Sequence, residues 1–253
     1  MEISANTKKL PRVEQSILKI GLIGYILRII PLVEIVGFIL TGILWYNIYK
    51  VWKKSYFLIV SIMLFVAIIS LIGSSAYSMM VVESELSVPT NTNISTDPIM
   101  ILNTTYDQMM SSLTISNLVN NGIQIIVVLL EAVGFLLLYR EFSYIFKPYV
   151  FILLMMLGLA MIFSVVAIYI SLANLKSLII ETERLIESGE TIDPATIGMN
   201  IIAALMPMII AGLLAFILRI IAYVVCAITI NRYKKAITEE KVLGEPLPPP
   251  PTF

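Results

Sequence analysis

The chain has 253 residues, of which 58% are apolar, and its 17 basic residues balance 17 acidic ones. The apolar share exceeds the roughly 45–50% of soluble domains, and it falls in several long blocks, as in integral membrane proteins. Because the chain has no net charge, no histidine and a single cysteine, we expect no nucleic-acid binding, no redox chemistry, no metal site and no bound cofactor.

The first apolar block, 17–30, follows a polar segment, 1–16, which is predicted to be a cytoplasmic N-terminal segment. The block is shorter than the ~20 residues of an ordinary membrane span, and Pro31 separates it from a second block, 32–49. The two blocks predict a short helical hairpin with basic residues at both cytoplasmic ends. In the alternative, 17–30 lies flat on the membrane surface. That arrangement would leave the basic residues of 1–16 outside, so the charge pattern favours the hairpin.

A third span is predicted at 56–80, and it leads into a long segment, 83–121, that contains no Lys or Arg. Because basic residues near membrane helices are retained on the cytoplasmic side, this segment is expected to be extracytoplasmic. It contains two Asn-x-Ser/Thr sequons, at Asn93 and Asn103, which are candidate glycosylation sites.

Within this outer segment, Asp97-Pro98 predicts a helix start, because Asp caps free amides and Pro suits the first helical position. Apolar residues then recur every three or four positions, so the outer helix should pack one face on another element. They are Ile99, Leu102, Tyr106, Met109 and Leu113. A fourth span is predicted at 123–139, with a kink suggested by Asn120-Asn121-Gly122.

The fifth span, 149–170, is predicted to continue beyond the membrane as a helix until Ser188-Gly189 stops it. Its outer part belongs to a second extracytoplasmic segment, 171–199. There an apolar stripe runs along the helix, formed by Leu172, Leu175, Leu178, Ile179, Leu185 and Ile186.

The last helix is predicted to start at Asp193-Pro194 and to reach about Lys235, with a kink at Pro207. The proline-rich segment 236–253 is predicted to be a cytoplasmic tail. The predicted fold class is therefore all-α: a polytopic helical membrane bundle, 17–235, of about six membrane segments with a short first hairpin. Both termini are expected on the cytoplasmic side of the cell membrane, because nearly all basic residues lie on segments assigned to that side.

Two sequence motifs each occur twice in the apolar blocks. Glu34-Ile35-Val36-Gly37-Phe38 is similar to Glu131-Ala132-Val133-Gly134-Phe135, and Tyr25-Ile26-Leu27-Arg28-Ile29-Ile30 is similar to Phe216-Ile217-Leu218-Arg219-Ile220-Ile221. Such pairs are typical of membrane proteins built from internal repeats, although low-complexity apolar sequence also generates them.

Four charged residues lie well within the apolar blocks: Arg28, Glu34, Glu131 and Arg219. A charge inside the bilayer is costly unless it is paired or hydrated, so these side chains should not face lipid. We expect Glu131 to pair with Arg219, and Arg28 to pair with Glu34 nearer the outer surface. The alternative is a transport role, with Glu131 as a proton or cation site and Gln124 near it on the same helix.

The start of the chain resembles small multi-pass membrane proteins of archaea that have no assigned activity. The resemblance lies in Gly21-Leu22-Ile23-Gly24, the Ile30-Pro31 break and Val36-Gly37-Phe38-Ile39-Leu40. The many isoleucines, the absent histidine and the proline-run tail are also similar to membrane proteins of thermoacidophilic archaea. The resemblance implies a helical membrane fold and a cell-membrane location, and it implies no functional residues.

No enzyme motif is found, because all three aspartates fall in outer segments and the early glycines open an apolar helix rather than a phosphate loop. We therefore expect no catalytic residues. The favoured hypothesis is a structural or accessory subunit of a membrane complex, which contacts the lipid bilayer and either protein partners or other copies of itself. The alternative is a small channel or transporter that uses the intramembrane Glu and Arg residues. An enzyme acting on lipid would need a polar cluster at one interface, which the sequence does not offer.

Overall fold

The computed structural model describes residues 10–86, 98–112, 115–189 and 193–243. These residues form seven α-helices and one short 3₁₀ turn, and no strand occurs among them. The all-α prediction is therefore confirmed. The helices are α1 (Gln15–Leu27), α2 (Glu34–Trp52), α3 (Ser55–Leu86), α4 (Pro98–Ser112), α5 (Ile115–Glu141), α6 (Pro148–Glu187) and α7 (Pro194–Leu243).

Five of these helices, α2, α3, α5, α6 and α7, are long and apolar enough to cross a bilayer, as expected of a membrane protein. The first helix, α1, has only 13 residues. At 1.5 Å per residue it is about 20 Å long, less than the ~30 Å of the hydrocarbon layer. The six predicted membrane segments correspond to these five helices and α1.

The hairpin between α1 and α2 turns at Pro31, as predicted, because a proline cannot continue the first helix. The Arg28 N–H still bonds the Gly24 carbonyl at 3.1 Å, and a 3₁₀ turn, Pro31–Val33, then leads into α2. The two helices approach closely at Gly24, where a Cβ would lie 2.9 Å from the backbone nitrogen of Thr41. The absence of a side chain there lets the hairpin close.

The described residues fall into two compact units. Unit 1 comprises those within Met1–Ile69, Ile123–Gly158 and Leu218–Phe253, and unit 2 comprises those within Ser70–Gly122 and Leu159–Ile217. Unit 1 contains α1, α2 and the parts of α3, α5, α6 and α7 that adjoin the predicted cytoplasmic connections. Unit 2 contains α4 and the remaining parts of those four helices.

In unit 1, the segment 10–14, which we call the N-terminal strap, contacts the end of α7. The Leu10 N–H donates to Glu240 Oε1 at 3.4 Å, and the Tyr233 hydroxyl donates to the Pro11 carbonyl. Leu10 is also buried. The start of α1 and the end of α7 therefore lie at the same end of the unit.

The same end of unit 1 includes the other connections between its helices, and we call it the basic end. Lys54, at the junction of α2 and α3, lies with its Nζ 2.5 Å from Glu141 Oε1 at the end of α5. The Phe146 ring, just before α6, packs on Tyr233 with 5.3 Å between ring centroids. Besides Arg12 of the N-terminal strap, the basic residues here are Lys50, Lys53, Lys54, Arg140, Lys147, Arg232, Lys234 and Lys235.

In unit 2, α4 packs its apolar stripe on α6 and α7, as predicted. The buried members of this cluster are Leu102, Met109, Leu172, Leu175, Ile197 and Ala204. Leu178 and Ile179 pack against it, whereas Ile186 is 43% exposed, so only the first part of the predicted α6 stripe is buried. Leu113 lies outside the residues whose side chains are described.

Two predicted helix boundaries are confirmed in unit 2. Helix α6 ends at Glu187, and Gly189 follows with a φ of +80°, a conformation that favours glycine. Helix α7 begins at Pro194, and the preceding Asp193 caps it by accepting the Ala195 N–H at 3.1 Å.

The residues at which kinks were predicted, Asn120-Asn121-Gly122 and Pro207, lie inside helices α5 and α7, and the kinks themselves remain predictions. One predicted helix end differs from the structure. Helix α7 continues to Leu243 instead of ending near Lys235. The last turns of α7 contact the N-terminal strap through Glu240, which accepts the Leu10 N–H.

Candidate functional site

Charges from two distant parts of the sequence meet inside unit 1. Arg28, which follows the last residue of α1, and Glu131, in α5, are both fully buried. Arg28 Nη1 lies 2.7 Å from Glu131 Oε2 and 2.8 Å from Oε1, so one guanidinium nitrogen contacts both carboxylate oxygens. The two charges neutralise each other where no water reaches them.

Two polar aromatic side chains complete the surroundings of the Glu131 carboxylate. The Tyr25 hydroxyl, one turn before Arg28, donates to Glu131 Oε1 at 2.9 Å. The Trp45 indole N–H lies 3.2 Å from the same carboxylate oxygen and 3.1 Å from the Tyr25 oxygen. Because Tyr25 lies on α1 and Trp45 on α2, the carboxylate holds both helices of the hairpin against α5.

Aromatic rings enclose the Arg28 guanidinium. Its Cζ lies 4.3 Å from the ring centroid of Phe38 and 4.4 Å from that of Tyr223, within the ~6 Å at which a ring face attracts a cation. Nη2 also donates to the Tyr223 hydroxyl at 2.8 Å, which joins α7 to the same site. We call this site the buried charge cluster; its members are Tyr25, Arg28, Trp45, Glu131 and Tyr223.

A second set of polar side chains surrounds Arg219 of α7, and we call it the loose polar cluster. Arg219 Nη1 is 3.4 Å from Glu34 Oε1, and Nη2 is 3.3 Å from Gln124 Oε1. These distances exceed the ~2.7–2.9 Å of strong charge-assisted hydrogen bonds. The Arg219 side chain is also 21% exposed and that of Glu34 10%, so this cluster is less enclosed than the first.

The predicted ion pairs have the wrong partners. The sequence suggested Glu131 with Arg219 and Arg28 with Glu34, whereas the structure joins Arg28 to Glu131 and Arg219 to Glu34. The physical reason is the length of α1. A helix of 13 residues that starts at one membrane surface ends inside the apolar layer, about 20 Å from its start, rather than at the opposite surface. Arg28 therefore lies deep enough to reach Glu131.

Each ion pair joins one copy of the Arg-containing motif to the opposite copy of the Glu-containing motif. Arg28 belongs to the first Arg-containing motif and contacts Glu131 of the second Glu-containing motif. Arg219 belongs to the second Arg-containing motif and contacts Glu34 of the first Glu-containing one. Corresponding positions of the motifs thus serve the same role, while an internal repeat remains a prediction.

In the buried charge cluster, both oxygens of the Glu131 carboxylate are bonded to side chains of the chain itself. These oxygens accept hydrogen bonds from Arg28, Tyr25 and Trp45. Among the described residues, no group of three or more His, Cys, Asp or Glu side chains is placed to hold a metal ion. What this arrangement does chemically is to fix α1, α2, α5 and α7 to one another.

Three members of the site, Tyr25, Trp45 and Tyr223, were not predicted from the sequence. A signal was present for one of them. Tyr25 precedes Arg28 by three residues, a spacing that places a phenol and a cation on the same helix face.

The two sequons differ in what the structure describes. Asn103 lies on α4, and its side chain is exposed. Asn93 lies outside the described residues, as does the predicted capping residue Asp97. Glycosylation of either asparagine remains a prediction.

No protein family, curated protein or solved structure was found to match the chain. Any function must therefore be inferred from the two polar clusters and from the surfaces of the helices.

Proposed function

We propose that the chain is a structural or accessory subunit of a membrane assembly and has no catalytic site of its own. The observation that carries this proposal is the closure of the buried charge cluster. Both Glu131 oxygens are occupied by side chains of the chain itself, and both charged residues are fully buried. A carboxylate that carries ions or protons needs a free position, whereas one that fixes helices does not.

The exposure of α7 supports a role in an assembly. The most apolar 18-residue window of its membrane segment is only 6% buried within the chain, whereas the corresponding windows of the other four spans are 28–44% buried. Much of this helix is therefore left to lipid or to a neighbouring chain, and helices in membranes associate through such side-chain packing.

Extraction of the chain from its native membrane in polymer-bounded lipid discs tests this proposal. We expect it to migrate with other membrane proteins in a fixed ratio that survives dilution, since a structural subunit is held by specific packing. Mass photometry of the purified discs gives the ratio. A chain that is recovered alone, as a monomer or a homo-oligomer, contradicts the accessory role.

A second candidate function, a small channel or transporter, is favoured by the loose polar cluster. Among the described residues, no donor forms a hydrogen bond with Glu34 Oε1; Arg219 Nη1 is 3.4 Å from it and bonds Oε2 at 3.5 Å. An incompletely paired carboxylate within an apolar region marks ion and proton pathways in other membrane proteins. Gln124 would add a neutral acceptor to such a pathway.

Flux into proteoliposomes separates the two functions. If the chain is a structural subunit, proton and cation flux should equal that of protein-free vesicles. If it is a transporter, flux should exceed that background and fall when Glu34→Gln removes the charge. Glu141→Gln is the matched control, because it makes the same change at the basic end, where Glu141 pairs with Lys54.

We further propose that the basic end faces the cytoplasm of a cell membrane, archaeal if the resemblance of the first residues holds. The support is the gathering of Lys and Arg residues at this end of unit 1, because such residues orient membrane proteins with that side inward.

A further inference from the structure

Several basic side chains at the basic end are not paired with an acidic side chain of the described residues. Lys54 pairs with Glu141, and Glu240 is engaged by the Leu10 N–H and approached by Arg12 at 3.9 Å. In the part of the chain that the structure describes, no carboxylate forms an ion pair with the other cations of this end. These cations are Lys50, Lys53, Arg140, Lys147, Arg232, Lys234 and Lys235.

Among these cations, Arg232 of α7 is positioned by a neighbouring helix. Its Nη1 donates to the Tyr149 hydroxyl of α6 at 3.0 Å. Both side chains are exposed. Because a phenol accepts the hydrogen bond without neutralising the charge, Arg232 keeps its full positive charge and its remaining N–H groups. A planar guanidinium held in this way is suited to a phosphate group.

Exposed apolar side chains lie one turn deeper on both helices. Ile152 follows Tyr149 by three residues and is 52% exposed, and Ile228 precedes Arg232 by four and is 46% exposed. Residues at these spacings share a helix face. A charged group at the basic end is thus followed, further into the membrane, by apolar surface.

The geometry points to Arg232 and Tyr149 as a binding site for the phosphate group of an anionic lipid, whose acyl chains lie along Ile152 and Ile228. Basic sites between membrane helices bind such headgroups, and tyrosine rings favour headgroup depth. A free phosphate ion can make the same contact with Arg232, but it has no acyl chains to contact Ile152 and Ile228. The combination of cation, phenol and apolar surface therefore selects the lipid.

A titration of the purified chain in neutral detergent tests this site. Mixed micelles that contain phosphatidylglycerol are compared with micelles that contain phosphatidylcholine and with inorganic phosphate alone. The readout is the temperature at which a thiol-reactive dye labels Cys226, the single cysteine, which is buried in the folded chain. We expect a saturable rise with phosphatidylglycerol and none with the other two additives.

Two variants assign the effect to the site. Arg232→Gln should weaken the apparent affinity for phosphatidylglycerol about fivefold, the ratio expected from one cation near an anionic surface. Arg140→Gln is the control, because it removes an exposed arginine of the same end that lies on α5. Its affinity should equal that of the unchanged protein.

Three outcomes overturn the proposal: an equal affinity in Arg232→Gln and the unchanged protein, an equal response to phosphatidylcholine, or a full response to inorganic phosphate. Native mass spectrometry of the unchanged protein supplies a test that depends on no variant. There, retained adducts should be phosphatidylglycerol, and equal retention of phosphatidylcholine overturns the site. If Arg232→Gln does not fold, Tyr149→Phe takes its place: it removes the hydroxyl that positions Arg232 and should also weaken the affinity for phosphatidylglycerol, and an unchanged affinity overturns the site.

Discussion

Three side chains of the α1–α2 hairpin converge at the Glu131 carboxylate: Arg28, Tyr25 and Trp45. Removing two ions from water costs several kcal/mol per ion, and their attraction offsets this only when geometry and hydrogen bonds are complete. The loss of one charge therefore leaves the other uncompensated. The loss of both charges removes the cost of burying them together with their attraction.

Replacing either member of the Arg28–Glu131 pair with glutamine is expected to lower the free energy of unfolding by about 3–5 kcal/mol, because the remaining charge stays buried without a partner. The double replacement should be more stable than either single one. Thermal unfolding, followed by dye labelling of Cys226, measures all three variants.

The control for this experiment is Glu141→Gln, which breaks a pair whose Lys54 side chain is 39% exposed. Exposed pairs contribute less than about 1 kcal/mol, so its unfolding temperature should change little. A double variant less stable than both single variants would show that the pair stabilises the fold by net attraction rather than by mutual compensation.

Tyr223 tests the hydrogen bond on the other side of Arg28. In Tyr223→Phe the Arg28 Nη2 donor loses its 2.8 Å acceptor, and an unsatisfied buried donor costs about 1–3 kcal/mol. Tyr169→Phe is the comparison, because that side chain is 51% exposed and should tolerate the change. Equal losses of unfolding temperature in the two variants would count against this role for the Tyr223 hydroxyl.

At the scale of elements, the α1–α2 hairpin depends on the absence of side chains where its helices meet. A Cβ on Gly37 of α2 would lie 2.6 Å from Arg28 Cγ and 2.7 Å from the Arg28 backbone nitrogen. The backbone atom cannot rotate away as a flexible side chain can. The same glycine thus permits both the hairpin turn and the position of the buried cation.

Gly37→Ala is expected to destabilise the chain by about 1–3 kcal/mol through overpacking. Gly212→Ala provides a matched change within α7, where the added Cβ would meet no atom within 4 Å apart from its chain neighbours and the adjoining backbone of its own helix. Alanine favours helix over glycine by up to about 1 kcal/mol, so this variant should be neutral or more stable. Unfolding temperatures of the two purified variants decide the prediction, which fails if both fall equally.

Helix ends were predictable from sequence where local chemistry decides them. Pro31 breaks the first hairpin, Gly189 follows α6 in a conformation open to glycine, and Asp193 caps α7. The end of α7 was not predictable in this way, because the helix continues past Lys235 to Leu243 and its Glu240 bonds Leu10, which lies far away in the sequence.

The partners of the buried charges were not predictable in the same way. Arg28 and Glu131 are 103 positions apart, and no local pattern connects residues at that distance. Their pairing depends on how far α1 reaches into the bundle and on which face of α5 it meets. The sequence identified which side chains must be paired, since charges in apolar segments are costly, but not which pairs form.

For the whole molecule, the contacts of the N-terminal strap place the start of α1 beside the end of α7. With the positive-inside rule, this end should be cytoplasmic and α4 should be outside. In a Cys226→Ala background, Asn103→Cys should react with a membrane-impermeant maleimide in intact cells. Thr238→Cys, also at an exposed position, should react only after permeabilisation.

The parent Cys226→Ala chain, which has no thiol, controls for background labelling. Reaction of both cysteine variants in intact cells would place α4 and the end of α7 in one compartment. That result would overturn the assignment of 83–121 as extracytoplasmic.

The sequence distance between Arg28 and its partners has a consequence for biosynthesis. Glu131 follows it by 103 positions and Tyr223 by 195. At about 5–20 residues per second, the ribosome makes the carboxylate roughly 5–20 s after the arginine. During that interval the nascent hairpin carries an unneutralised cation, which opposes its entry into lipid. The helices translated first should therefore wait at the membrane surface and insert only after α5 has arrived.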